Sequence, residues 1–285
     1  MRYVAALVMI ALAGAAMLLP TTEAAEPGPN PATESPPIST CPLVAGSGRS
    51  TEIAVLSSVN GQGRVSSFSS GEETGSLDFR TGSSGSVTID AAEAGAVGTS
   101  AGLVEMPSAT TAAGVLTLGE TARSAESCAD IPTGQAFLSG GSTAGGVAFE
   151  IQLLNPYAGE ASAQLTVTTD AGIESDERFD AVRVPALSTV TLNMTEIIPG
   201  REEISVNVEI TSGSALAVGR QTIEGRTALW RAVEPAQNWW LPIPEGGATK
   251  QLLLATPTNS EVEYQIDYYG TDGFQEAFEA GVISP

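Results

Sequence analysis

There is no histidine in the 285 residues, one lysine (Lys250), two cysteines (Cys41 and Cys128), and aromatic side chains make up only 5% of the chain. Each shortage removes a class of chemistry. Without an imidazole there is no Ser-His-Asp triad, no Cys-His pair and no histidine-bearing zinc site. Lys250 has no Ser-x-x-Lys around it, so it reads as a solvated charge on a strand rather than a base. Basic residues number 12 against 33 acids, for a formal net charge of −21. Such a surface repels nucleic acid and anionic lipid and helps to keep an exported protein monodisperse. Long apolar runs are also missing, with one exception at the N-terminus.

That exception is "MRYVAALVMIALAGAAMLLPTTEA", residues 1–24. It has one basic residue, Arg2, then an apolar run from Tyr3 to Leu19, the helix-breaking Pro20, and small residues at Thr22 and Ala24. This is the pattern of a secretory signal cleaved after Ala24. An uncleaved membrane anchor is the alternative, but the run sits at the lower edge of spanning length and is followed by a cleavage-like Thr-Glu-Ala-Ala. The mature chain is therefore expected outside the cell, soluble and not embedded in the membrane, without cofactor. Residues 25–40, "AEPGPNPATESPPIST", are rich in Pro and Ser and bury little, and they read as a linker. In an oxidising compartment Cys41 and Cys128 are expected to form a disulfide; two free, inert thiols are the alternative.

From Cys41 onward the text alternates with period two between Gly, Asn, Asp, Ser and Pro turns. Ile151 and Leu153 alternate on one run, and Ala161, Ala163, Leu165 and Val167 on the next. Val190, Leu192 and Met194 share a side of a third, and Ile204, Val206, Val208 and Ile210 precede "SGS", with Leu216 and Val218 after it. The last two runs are expected to form a hairpin. Six or seven short strands with regular turns predict an all-β fold of antiparallel β-sandwich type.

The pattern repeats. "VAFEIQLLNPYAGEASAQLTVTTDAG" (147–172) and "ATKQLLLATPTNSEVEYQIDYYGTDG" (248–273) align at an offset of 101, with Pro156 over Pro257 and Gly172 over Gly273. A fainter copy, "TEIAVLSS" from Thr51, aligns at an offset of 98. Three tandem β-sandwich units follow: 41–132, holding the disulfide; 133–236; and 237–285, which is too short to close a core. The third is expected to be completed by residues beyond 285, with strands from another copy as the alternative.

The middle unit carries a resemblance. "CADIPTGQAFLSGGSTAGGVAFEIQLLNPYAGEASAQLTV", followed by "RVPALSTVTLNM" and "IIPGREEISVNVEITSGSALAVGRQ", is similar to a family of secreted actinobacterial proteins of unknown function. The resemblance implies tandem immunoglobulin-like or fibronectin-like modules and a third unit that is normally completed. It implies no activity and no catalytic residue.

Among candidate sites, carboxylate pairs are too plentiful to single any out, and no metal ligand set stands out. "SGGSTAGG" (139–146) lacks the Gly-Lys-Ser/Thr of a phosphate cradle and leads into a strand, so it reads as a turn. "DAGIESDERFD" (170–180) gathers Asp170, Glu174, Asp176, Glu177 and Asp180 without the spacing of an EF-hand loop, and reads as a solvated acidic loop, with a weak calcium site as the alternative. All three tryptophans lie near the second junction: Trp230, Trp239 and Trp240. They suit packing between units or, at Trp239 and Trp240, a platform for sugar rings. The reading is a secreted, non-catalytic structural or interaction protein of the cell envelope, meeting an envelope protein or cell-wall polysaccharide. The alternative is a carbohydrate-binding protein using Trp239 and Trp240.

Overall fold

The computed structural model describes residues 37–46, 48–82, 85–119, 123–130, 134–239, 252, 254, 256, 261–270 and 273–283. The signal sequence, Lys250 and Trp240 lie outside them. So does the linker up to residue 36, but its last residues are not linker. The first strand opens at Ile38, which lies opposite Glu105, and Thr40 exchanges two backbone hydrogen bonds of 2.7 and 3.1 Å with Ala129 one residue before Cys41.

Eight strands make the first module: β1 (Ile38–Ala45), β2 (Ser50–Ser57), β3 (Gly61–Ser69), β4 (Glu72–Thr81), β5 (Gly85–Asp90), β6 (Gly98–Glu105), β7 (Thr111–Leu118) and β8 (Arg123–Ser127). The second has β9 (Gln135–Gly141), β10 (Ala148–Asn155), β11 (Ala161–Thr169), β12 (Gly172–Glu174), β13 (Val182–Val184), β14 (Ser188–Asn193), β15 (Ile204–Ser212), β16 (Leu216–Ile223) and β17 (Arg226–Arg231). One helical turn, α1 (Met194–Ile197), follows β14. A hairpin of β18 (Val262–Gly270) and β19 (Gly273–Ile283) comes last. All pairings are antiparallel.

The first module has sheets of order β1-β6-β3-β4 and β5-β2-β7-β8; the second has β9-β15-β11-β12, with β13 also on β11, and β14-β10-β16-β17. Strand for strand these are the same topology. The offset of 98 lays β2 on β10 end to end, and the offset of 101 lays β11 on β18 likewise, with Gly172 at φ +107° and Gly273 at φ +105° opening the strand after each turn. A side chain is strained at such a φ, which is why glycine marks this turn twice.

The order departs from that of a constant-type immunoglobulin domain, where the second strand neighbours the first and the sixth neighbours the seventh. Here the first strand lies beside the sixth and the seventh beside the second. The expected hairpin of 204–223 is also absent. β15 and β16 belong to opposite sheets, and the chain arches between them through Gly213 (φ +69°), packed against the backbone of Glu160 and Ala161.

Each module has its own core between its sheets. In the first, Cys41, Leu43, Val65, Phe79 and Val104 meet Ile53, Val55, Ile89 and Val115. In the second, Leu138, Leu165, Val167, Val206 and Val208 meet Phe149, Ile151, Leu153 and Ala217, with Met194 of α1 beneath. A third cluster lies between the modules: Val44, Phe68 and Ala101 of sheet β1-β6-β3-β4 against Leu154, Leu216, Val218 and Leu229 of sheet β14-β10-β16-β17.

At this seam the strands β1, β6, β10 and β16 are packed on both faces, whereas β4 keeps Ser76, Asp78 and Arg80 exposed. That explains the unbroken apolar text "ALAV" at Ala215 to Val218: Ala215 and Ala217 face the core of module two, while Leu216 and Val218 face module one. Polar contacts also join the modules, two of them from β8, an edge strand of module one's other sheet that lies beside β17. The Gly71 amide donates to the Leu187 carbonyl (3.1 Å), the Leu229 amide to Ser124 Oγ (2.9 Å), and the Arg231 amide to Glu126 Oε2 (3.1 Å).

Candidate functional site

Cys41 and Cys128 are bonded, with their Cα atoms 4.6 Å apart. The bond ties β1 to the end of module one beside the Thr40–Ala129 bridge, with Cys41 fully buried. It is a structural fastening of the first core.

The tryptophans separate into different roles. Trp230, on β17, stacks on the buried Phe149 at 5.6 Å between ring centroids and 4° between planes. It lies over Gly219, where a Cβ would come within 2.7 Å of the indole, so the glycine is what lets the ring lie flat on the sheet. Its packing role is plain, although its buried Nε1 has no partner. Trp239 differs: it is 51% exposed, and its Nε1 donates to the Ala236 carbonyl at 3.1 Å. The chain leading to it leaves the edge of β9, where Phe137 and Val233 exchange backbone hydrogen bonds of 2.8 and 3.0 Å.

The Gly-rich stretch is occupied by its own protein. Ser139 to Gly141 belong to β9, and Gly141 is a packing residue: a Cβ there would meet the Phe149 ring at 2.3 Å. The buried Thr143 donates through Oγ1 to the Ile198 carbonyl (2.7 Å) and accepts from the Arg201 amide (3.0 Å), while the Thr143 and Ala144 amides donate to the Arg201 carbonyl (2.8 and 3.1 Å). Those amides are turned toward a neighbouring loop, so they cannot cradle a phosphate.

Two carboxylates of the acidic loop are paired with arginines, one within the loop and one beyond it. Glu174 meets Arg201 at 2.6 Å, and Asp176 meets Arg178 at 2.6 Å while capping the 3-10 turn Glu177–Phe179 by accepting from the Arg178 amide at 2.9 Å. The guanidinium and amide of Arg178 hold the Asp176 carboxyl down at about 2. Among the described residues no group of three metal-ligating side chains comes together. The cleft bounded by Gln62, Arg64, Asp78, Arg80, Glu105 and Met106 on module one is likewise crossed by an ion pair, Arg64 to Asp78 at 2.7 Å.

Leu-Asn-Pro has a role that the sequence left unassigned. Asn155 is fully buried; its Nδ2 donates to the carbonyls of Gly159 (2.8 Å) and Val184 (3.1 Å), and its Oδ1 accepts from the Tyr157 amide (3.0 Å). Ser57, its counterpart in module one, likewise accepts from the amide two residues on, Val59, at 3.2 Å. The residue before the turn organises it by a local side-chain bond, and short polar residues at corresponding strand ends are the signal that finds it.

The hairpin β18–β19 presents rings on its surface. Tyr269 and Phe274 are 4.6 Å apart and Tyr268 and Phe278 5.7 Å, with exposures from 40% to 62%. Leu252 and Leu254, at the offset of 101 from Ile151 and Leu153, are 47% and 42% exposed, whereas their counterparts are fully buried.

Residues 90–228 match the sequence model of a family described as a family of unknown function (DUF5719). The match runs from the end of β5 into β17 and so crosses the seam between the modules. No curated protein matches the chain.

Proposed function

We propose that the chain is an exported, non-catalytic structural or interaction protein of the cell envelope, built from tandem two-sheet modules related to the immunoglobulin-like class. One observation carries this reading: two copies of one topology are fused through a shared apolar seam, Val44, Phe68 and Ala101 against Leu154, Leu216, Val218 and Leu229, which makes a stiff body rather than a hinged pair. Such a body suits a spacer or a display scaffold, whose loops and outer faces are free to meet an envelope protein or cell-wall polysaccharide.

Other features support it. The disulfide suits an oxidising compartment. Among the described residues no helix is long and apolar enough to cross a membrane. The lack of histidine removes the commonest hydrolytic machinery. Expression of the full chain with its leader, followed by fractionation and N-terminal sequencing, tests the reading. A mature chain starting at Ala25 in the envelope or medium is expected; an uncleaved chain in the cytosol refutes it.

Exposure of Trp239 favours a second reading, binding of carbohydrate through Trp239 and Trp240. Replacing both by Ala should abolish retention on cell-wall polysaccharide while leaving the melting temperature in place. A drop in stability with retention unchanged speaks for packing instead.

A further inference from the structure

Leu187 holds φ at +54°, in the left-handed region that disfavours a bulky side chain. Strain of this kind persists only where the surroundings over-determine it, and here three contacts do so. The Leu187 amide donates to the Tyr157 carbonyl (3.0 Å), its carbonyl accepts from the Gly71 amide of module one (3.1 Å), and its side chain packs against the apolar seam. Residues 185–187 are thus held from two sides, by the turn after β10 in module two and by the turn between β3 and β4 in module one.

Asn155 connects these supports. Its Nδ2 donates to the carbonyls of Gly159 (2.8 Å), Val184 (3.1 Å) and Pro185 (3.2 Å), while its Oδ1 accepts from the Tyr157 amide (3.0 Å). One fully buried carboxamide therefore ties the turn at 157–159 to the segment that carries Leu187. Both of the tied segments meet module one. Leu187 takes the Gly71 amide, and burial raises the Tyr157 phenol above its ordinary value, opposed by Thr40 and helped by Asp130, two residues of module one.

The repeat supplies an internal comparison. Ser57, at Asn155's place in module one, accepts from the Val59 amide (3.2 Å), and its hydroxyl bonds stay with the Val59 carbonyl (2.9 Å) and Thr111 (3.0 Å). Leu56, at Leu154's place, is 59% exposed. The turn itself needs only a short acceptor, which serine provides. What the carboxamide adds is the reach to residues 184 and 185, next to the contact with the other module.

We propose that Asn155 and Leu187 form an angle-setting joint: the Asn155 carboxamide locks the turn at 157–159 and residues 185–187 into one unit, and that unit, through Leu187, fixes the tilt of module one on module two. The apolar seam supplies cohesion without direction, whereas a backbone hydrogen bond has a preferred line. Asn155 is a positioning residue in this account. The joint does not depend on where the chain resides or what it binds, so it stands apart from the envelope reading.

The test is the distance distribution between spin labels at Thr88→Cys on β5 and Thr166→Cys on β11, exposed positions on the outer sheets of the two modules, in the full mature chain with its disulfide oxidised. A single narrow peak is expected. Asn155→Ser keeps an acceptor for the Tyr157 amide and loses the reach to residues 184 and 185; it should broaden the peak roughly twofold, as befits modules free to move against each other. Leu187→Gly, which suits the φ and removes the packed side chain, should broaden it too. Ser57→Ala, which removes the corresponding turn bonds in module one, should leave the peak unchanged. Because the distances are read on folded protein, a loss of stability alone does not move them. An unchanged peak in Asn155→Ser overturns the proposal even if its denaturant midpoint falls. Should that variant not fold, an unchanged peak in Leu187→Gly overturns it. A broad peak in the reference chain, or equal broadening in Ser57→Ala, does the same.

Discussion

Leu154→Ala probes the seam between the modules. Leu154 is fully buried, yet it belongs to neither module's own core; it packs among Leu216, Val218 and Leu229 and faces Val44, Phe68 and Ala101 across the seam. If the modules were separate bodies, Leu154 would lie on a wet surface, where truncation changes stability by no more than about 0.5 kcal/mol. In a sealed seam the lost transfer energy of roughly 1.5–3 kcal/mol is joined by a cavity term, for a total of about 2–5 kcal/mol. A loss of about 3 kcal/mol corresponds to about 6–12 °C in melting temperature for a body of roughly 200 residues. Scanning calorimetry measures the shift, and amide hydrogen exchange shows where it is felt. Slow amides of Val104 and Val115 in module one should lose protection together with those of Val206 and Val208 in module two, in a single transition. A shift under about 1 °C, or lost protection in module two alone, refutes the claim that the pair folds as one.

Gly141→Ala places a methyl group 2.3 Å from the Phe149 ring; overpacking of this kind should cost about 1–3 kcal/mol, read as a lower denaturant midpoint. Replacing Cys41 and Cys128 by Ser opens a loop of 87 residues, with an expected loss of about 4–5 kcal/mol on the chain-entropy account; equal stability of oxidised and reduced wild type would contradict it. Asp176, held down at about 2 by Arg178, is charged in the folded state well below the ordinary carboxylate range of roughly 4. Its contribution is therefore fully present above that range and is lost as pH falls through about 2. A carboxyl carbon NMR titration with a midpoint near 4 would contradict the cap. Asn155→Ala strands the Tyr157 amide and the Gly159 carbonyl and should cost about 1–3 kcal/mol, also read as a lower denaturant midpoint.

Much of this architecture is legible in the sequence because strand periodicity and turn glycines act locally. Ala161 to Val167 spell one buried face, and Gly172 and Gly273 mark one turn twice. Register and pairing partner are not local, and there the sequence misleads. "EISVNVEITSGSALAVGRQ" looks like a hairpin, yet its halves lie in different sheets, since nothing in a short Gly-Ser connection says whether the chain doubles back in one sheet or arches to the next.

The seam was hidden for a related reason. Leu154, Leu216 and Val218 break the alternation of their strands, and a continuous apolar run does not name what lies on its second face. The Trp239 and Trp240 cluster, by contrast, was conspicuous because it is contiguous.

The double-sided burial of β1, β6, β10 and β16 also bears on how relatives of this chain can diverge. A substitution there meets packed atoms whichever way the side chain points, so those strands should drift slowly and in concert across the two halves. The outermost strands have one forgiving side each. Lineages that acquired different tastes in surface chemistry would be expected to write the difference on those outer strands, and to keep the inner four nearly word for word.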